Sequence, residues 1–194
     1  MGFRFIRERL RAFRKNDKLI PSNGRTFEEY LRGLHLTQDQ IIGKRVMDLG
    51  SGLSDFAAHC NKLGGNTRAV AIDPKHFLDA KESEAVKARG KRFVVARTPE
   101  LPFKKNSFDL VVSQHFLEHV KDPFVMRVII VDVLRVLRRN GEVRFLQADF
   151  DYFHLYKYIK PWLDRNGFHV KESPYVSIKK TGRMEKLVAS IEEM

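Results

Sequence analysis

A chain of 194 residues is long enough for one domain with a full hydrophobic core and too short for a second of ordinary size. Its composition, 43% hydrophobic and 31% charged, excludes a disordered or collagen-like chain. The formal charge of +12 favours polyanions as neighbours, whether RNA, DNA or an anionic membrane surface.

The charge is concentrated at the start. Residues 1–18 hold seven Lys or Arg against Glu8 and Asp17, while Phe3, Ile6, Leu10 and Phe13 recur at helical spacing. Residues 1–24 therefore form a basic amphipathic segment, and residues 25–194 are expected to form the domain proper. Such a helix either packs on its own domain or reaches out to a nucleic acid or membrane. It lacks the uninterrupted apolar stretch of a secretory signal, and no run approaches the length of a membrane span. Cys60 is the single cysteine, so no internal disulfide can form; together these features predict a cytoplasmic protein.

Thr26 and Thr37 each stand three residues before Glu29 or Gln40, the spacing of a capping box, and predict two short helices ahead of the first strand. From Val46 the pattern alternates. Val46 to Leu49, Ala69 to Ile72, Phe93 to Val95 and Leu110 to Val112 read as strands, with helices near 54–63, 76–89 and 123–139 between and after them. Gly64-Gly65, Gly90 and Asn140-Gly141 supply the residues that close helices, and Asp122-Pro123 opens one. Glu142 to Gln147, Phe168 to Lys171 and Tyr175 to Lys179 complete the strands. Regular β-α alternation predicts an α/β domain, a mostly parallel sheet with helices on both faces. Ligands in such sheets bind outside the carboxyl ends of the strands.

The loop Gly50-Ser51-Gly52 joins the first strand to the next helix, and its glycines allow a tight turn that approaches a ligand closely. Asp48 lies two residues upstream. Asp73, closing the second strand ahead of Pro74, is placed to accept both ribose hydroxyls of an adenosine. A dinucleotide site would want a third glycine and a helix start free for pyrophosphate, but Asp55 stands there. A carboxylate repels pyrophosphate, yet suits the cationic sulfonium and ammonium of S-adenosylmethionine.

The segment Val46-Met47-Asp48-Leu49-Gly50-Ser51-Gly52 resembles the first motif of class I S-adenosylmethionine-dependent methyltransferases, and Ala71-Ile72-Asp73-Pro74 resembles their second. Leu101-Pro102-Phe103 running through Phe108-Asp109 into Leu110 to Ser113, then Leu117-Glu118-His119-Val120, then Leu134 to Gly141, are similar to the family's later blocks, in the right order over about residues 44–147. The resemblance implies a Rossmann-like three-layer domain whose mostly parallel seven-stranded sheet ends in an antiparallel strand. It implies S-adenosylmethionine as cofactor and S-adenosylhomocysteine as product. Asp48 would lie under the methionine end, Gly50, Ser51 and Gly52 would form the loop, Asp73 and Pro74 would flank the ribose, and Gln114 could bond the amino-acid end. Residues before Leu101 would approach adenine. The sequence departs from the family there: Arg97 stands where an acid usually accepts the adenine amino group, and a guanidinium cannot accept a hydrogen bond. Thr98 or a backbone carbonyl is left for that task.

Methyl transfer demands alignment more than any fixed catalytic group, but a hydroxyl or ammonium acceptor needs a base. His115 and His119, just beyond the fourth strand, are the candidates; each could instead cap or pack the following helix. No metal is expected. Ser113-Gln114-His115-Phe116 lacks the Pro-Pro-aromatic unit of base amino-group methyltransferases, and Cys60 falls inside a helix rather than in a loop that could present a thiol nucleophile. The aromatic stretch from Phe150 to Tyr158, with Trp162, suits either a flat acceptor or ordinary packing. The acceptor is expected to be a small molecule or RNA. The alternative is a domain that has lost catalysis and serves as a binding module, which Arg97 leaves open.

Overall fold

A computed structural model describes residue 8 and residues 24–73, 93–146, 155–171 and 175–192. The predicted helix over 76–89, Pro74, nearly all of the basic segment 1–24 and the aromatic run 150–154 lie outside the described residues.

Seven strands form one sheet: β1 Arg45–Leu49, β2 Arg68–Asp73, β3 Phe93–Val95, β4 Phe108–Gln114, β5 Leu137–Leu146, β6 His169–Lys171 and β7 Val176–Lys179. Their order is β3-β2-β1-β4-β5-β7-β6. β1 pairs in parallel with both β2 and β4, and β7 runs antiparallel between β5 and β6. The order reverses between β1 and β4, so the carboxyl ends of these two strands flank the switch point.

Alternation along the strands sorts their side chains into two layers. Met47, Leu49, Val111, Val143 and Phe145 face α3 (Pro123–Val136), α4 (Lys160–Arg165) and α5 (Met184–Glu192). Val46, Ala69, Ala71, Leu110 and Val112 face α1 (Phe27–Gly33) and α2 (Phe56–Cys60). The first capping box forms as its spacing requires: Thr26 N donates to Glu29 Oε2 at 2.7 Å and Glu29 N donates to Thr26 Oγ1 at 3.3 Å. Thr37 N similarly donates to Gln40 Oε1 at 3.2 Å, opening a single 3₁₀ turn at Gln38–Gln40 rather than an α-helix.

Two predicted helices end early. The helix expected over 54–63 stops at Cys60, because the Asn61 amide turns aside to pair with β2: its Nδ2 donates to Ala69 O and its Oδ1 accepts from Ala69 N, both at 2.9 Å. The helix expected to reach residue 139 stops at Val136. Its last carbonyls find donors outside the helix, with Asn106 N bonded to Arg135 O at 3.1 Å and Ser107 N to Val136 O at 2.7 Å. Leu137 then pairs with Phe108, and Asn140-Gly141, predicted as a helix stop, belongs to an irregularity within β5 before Glu142 pairs with Leu110. Among the described residues no helix is long and apolar enough to cross a membrane.

Candidate active site

The carboxyl ends of β1, β2 and β4 deliver Gly50, Asp73 and Gln114 to one edge of the sheet. Leaving β1, the chain enters the left-handed region at Gly50 (φ 69°) and again at Gly52 (φ 48°), a conformation that glycine adopts without a steric penalty. The amides of Gly50 and Ser51 both bond to Ile72 O, at 2.8 and 3.0 Å, and Gly52 N donates to Asp73 Oδ2 at 2.8 Å. The glycine loop and the acid of β2 are thereby one unit. A Cβ on Gly50 would lie 2.8 Å from Cβ of Phe116, so the segment after β4 packs directly on the loop.

Asp48 is fully buried. Its Oδ1 accepts from the Tyr30 hydroxyl at 2.9 Å and its Oδ2 from Ser54 Oγ at 2.8 Å. Burial, reinforced by this carboxylate, pushes the Tyr30 hydroxyl well above its ordinary range, so it stays a donor. Tyr30 stacks on Phe56 with ring centroids 4.5 Å apart, which ties α1 to α2 over the loop. Gln114 turns toward the same helix: its Nε2 donates to Glu29 O at 3.3 Å. Arg25 bridges the switch point, its carbonyl accepting from Asp55 N and its guanidinium donating to Gln114 O at 3.3 Å. Cys60 is buried, and burial and the Asp48 charge push its thiol far up, the state of an inert packing residue.

Beyond β3, Thr98 is buried and Arg97 half-buried. The following backbone is clamped from α3. Asp132 Oδ2 accepts from Glu100 N at 2.6 Å and Leu101 N at 2.7 Å, while Arg135 donates to the carbonyls of Leu101 and Phe103 at 2.8 and 2.6 Å. Arg135 also grips Asp132 Oδ1 through Nε and Nη2. The sequence offers Asp132 and Arg135 only as a helical i, i+3 pair, with no sign that they reach across to this loop.

At the exit of β4, His115 is held at φ 58°, a region few non-glycine residues enter. Its backbone N donates to Leu146 O at 2.8 Å, and its Nδ1 lies 2.8 Å from Glu118 Oε2. A carboxylate only accepts, so Nδ1 carries the proton and Nε2 is the basic nitrogen of the neutral ring. His119 stands on the other side of Glu118, its Nε2 3.9 Å from Oε1. Trp162, in contrast, is a core residue: it is buried, its Nε1 donates to Ser190 Oγ at 2.8 Å, and Arg127 lies over its ring.

The hydroxyl oxygens of Ser51, Thr98 and Ser113 are buried at this edge without a hydrogen-bond partner among the described residues. Leaving such a group unsatisfied costs about 1–3 kcal/mol, so three of them mark a place shaped for a polar ligand. Together with the paired loop and Asp73, these donors and acceptors fit the nucleoside and amino-acid ends of S-adenosylmethionine.

The fold and the site define a class I methyltransferase architecture. A family model described as a methyltransferase domain matches residues 47–145, just over half of the chain, and the chain belongs to that S-adenosylmethionine-dependent family. An uncharacterized methyltransferase of Mycobacterium sp. (strain KMS) is 32% identical over 99 residues, 51% of this chain and 36% of that protein. The chain thus spans little more than a third of the length of that curated relative. Among solved structures, an S-adenosylmethionine-dependent methyltransferase from Mesorhizobium loti is similar with a TM-score of 0.55 at 18% identity, covering 77% of this chain and 95% of that one. A Burkholderia thailandensis 1,6-didemethyltoxoflavin-N1-methyltransferase, solved with its substrate and S-adenosylhomocysteine, is similar with a TM-score of 0.55 at 17% identity, covering 80% and 78%. At these identities the likeness establishes the fold.

Proposed function

We propose that the chain transfers the methyl group of S-adenosylmethionine to a nucleophilic atom of a small molecule or an RNA, with S-adenosylhomocysteine as product. The observation that carries this reading is the set of buried hydroxyls of Ser51, Thr98 and Ser113, unpartnered among the described residues, at the edge where the glycine loop and Asp73 meet. The cofactor, when bound, supplies an electrophilic methyl on a cationic sulfonium. Asp73 holds the ribose hydroxyls, with Pro74 beside it, and the backbone of Gly50, Ser51 and Gly52 gives the amino-acid end room. Thr98 Oγ1 accepts from the adenine amino group, the role Arg97 cannot take; Arg97 borders the ring. Asp48, whose oxygens bond to Tyr30 and Ser54, fixes the loop's shape and places negative charge beneath the cationic end. Gln114 secures α1 against β4 and borders the amino-acid end.

For an acceptor that must lose a proton, His115 is the base. Glu118 orients its ring, leaving Nε2 to take the proton as the new bond forms. His119, more exposed and farther from Glu118, is the second candidate.

Transfer of labelled methyl from S-adenosylmethionine into fractionated cell extract, with and without nuclease, tests the proposal. Label in a small-molecule fraction selects a metabolite, and label lost on nuclease treatment selects RNA. No label in any fraction, with the purified chain still folded, overturns the enzyme reading in favour of a non-catalytic binding module.

A further inference from the structure

The opposite edge of the sheet, where the parallel strands begin, carries a continuous row of cations. Arg45 and Arg68 are register neighbours at the starts of β1 and β2. Arg45 Nη2 donates to Asn106 O at 3.2 Å, and Lys180 Nζ donates to Asn106 Oδ1 at 3.0 Å and Leu137 O at 2.6 Å. Lys104 and Lys105, both exposed, precede Asn106 in the turn before β4, and Arg138 stands at the start of β5. Arg45 and the buried Lys180 thus meet on Asn106, and Arg68, Lys104, Lys105 and Arg138 lie along the same edge, six basic residues from β1, β2, the turn before β4, β5 and the end of β7. At about 4.8 Å per strand, the row from β2 to β5 extends about 14 Å.

Two of the acids nearby are already engaged. Asp109 accepts from Arg45 N at 2.8 Å and from Arg138 Nη1 at 2.9 Å, and Glu142 pairs with Arg144. Arg68, Lys104 and Lys105 have no side-chain partner among the described residues. Burial first, and then Arg135 and Lys105, push the Lys180 ammonium below the ordinary lysine range, with Glu185 opposing.

We infer that this edge binds the phosphate backbone of RNA, at a site separate from the cofactor edge. A line of cations complements a linear polyanion, and exposed arginine and lysine heads bond phosphate oxygens directly. An anionic membrane would need apolar side chains to insert beside the charges. Of the large hydrophobics exposed among the described residues, Ile42, Val95 and Val188, only Ile42, next to the turn entering β1, borders the row. The length of β4 puts this row about 20 Å from the methyl-transfer edge, so it would tether an RNA rather than present its reacting atom. The inference is independent of what accepts the methyl group.

The test is fluorescence anisotropy of the full chain with a labelled single-stranded RNA of about 20 nucleotides, between about 50 and 200 mM salt. Arg68→Glu/Lys104→Glu/Lys105→Glu spares the residues paired with Asp109. It should weaken binding by at least about tenfold and flatten the slope of log K against log salt by about two. A control with the same change in charge on other surfaces, Arg32→Glu/Lys157→Glu/Lys171→Glu, should bind closer to the parent than to the first variant. The first variant should keep the parent's melting temperature response to S-adenosylmethionine, which shows that the fold and cofactor edge are intact. Equal loss in the two triple variants, or full binding by the first variant with loss only on deleting residues 1–18, overturns the inference. Binding to phosphatidylserine vesicles with none to RNA also overturns it and makes the edge a membrane contact.

Discussion

The two edges of the sheet treat their polar groups in opposite ways. At the carboxyl edge, His115 and Glu100 sit at positive φ, and the hydroxyls of Ser51, Thr98 and Ser113 are buried without partners among the described residues. At the amino edge, the positive-φ positions outside glycine are Asn66 and Asn106 in turns and Asn140 at the β5 irregularity, a residue type that tolerates them. There the Lys180 head donates two hydrogen bonds, and each oxygen of the Asp109 carboxylate accepts one. The carboxyl edge therefore stores the greater conformational and desolvation cost, although at the amino edge Arg45 Nε is also buried without a hydrogen bond among the described residues. Such costs persist where a ligand or a reaction uses them, which supports the proposal of a cofactor site at the carboxyl edge on grounds other than a motif.

Substitutions sharpen this contrast, and the largest effect should come from the loop. Gly50→Ala puts a Cβ against Phe116 at a φ of 69° and should cost about 2–4 kcal/mol in denaturant unfolding while removing cofactor binding by calorimetry. Asp132→Ala orphans the amides of Glu100 and Leu101 and leaves Arg135 half-paired. It should cost about 2–3 kcal/mol and weaken cofactor binding through the loosened Thr98 loop.

The two serines of the glycine loop should separate in sign. Ser54→Ala removes a satisfied bond to Asp48 and should destabilise the chain by about 1 kcal/mol. Ser51→Ala removes an unsatisfied hydroxyl, so the ligand-free chain should be unchanged or up to about 1 kcal/mol more stable, while the affinity for S-adenosylmethionine falls about fivefold. A loss of stability in Ser51→Ala would show that its hydroxyl is paired.

The smallest effect belongs to the amino edge. Burial raises the Asp109 carboxyl, but the Arg45 amide and Arg138 outweigh it, and the net shift is downward. Its contribution to stability is then present above the ordinary Asp range and lost as pH falls through its lowered folded value. Asp109→Asn should flatten that part of an acid unfolding profile and leave cofactor binding unchanged.

Much of the fold was legible because it is written in local pattern: alternating strands, the Gly50-Ser51-Gly52 turn, and the acid closing β2. Helix ends were less so. Leu134 to Arg139 keeps a helical rhythm, and only the amides of Asn106 and Ser107, some thirty residues earlier in the chain, take the carbonyls that stop α3 at Val136. The same distance in sequence hides much of the site. Asp48 reads as lying under the methionine end of the cofactor and Gln114 as a group at its amino-acid end, but their bonds to Tyr30, Ser54 and α1 are not written in any spacing. The Asp132–Arg135 clamp and the packing of Phe116 on Gly50 depend on which elements the sheet order brings together, and no spacing rule records that.

Thermal unfolding of the full chain with and without S-adenosylmethionine tests the central claim most directly. At a hundred times the dissociation constant, binding adds about 2.7 kcal/mol, which for a chain of this size raises Tm by roughly 5–10 °C, and Asp73→Ala should abolish most of the rise, while its ligand-free Tm falls by several degrees because the Gly52 amide loses its acceptor. No rise with S-adenosylmethionine or S-adenosylhomocysteine, or an equal rise in Asp73→Ala, would contradict the assignment of the carboxyl edge as the cofactor site.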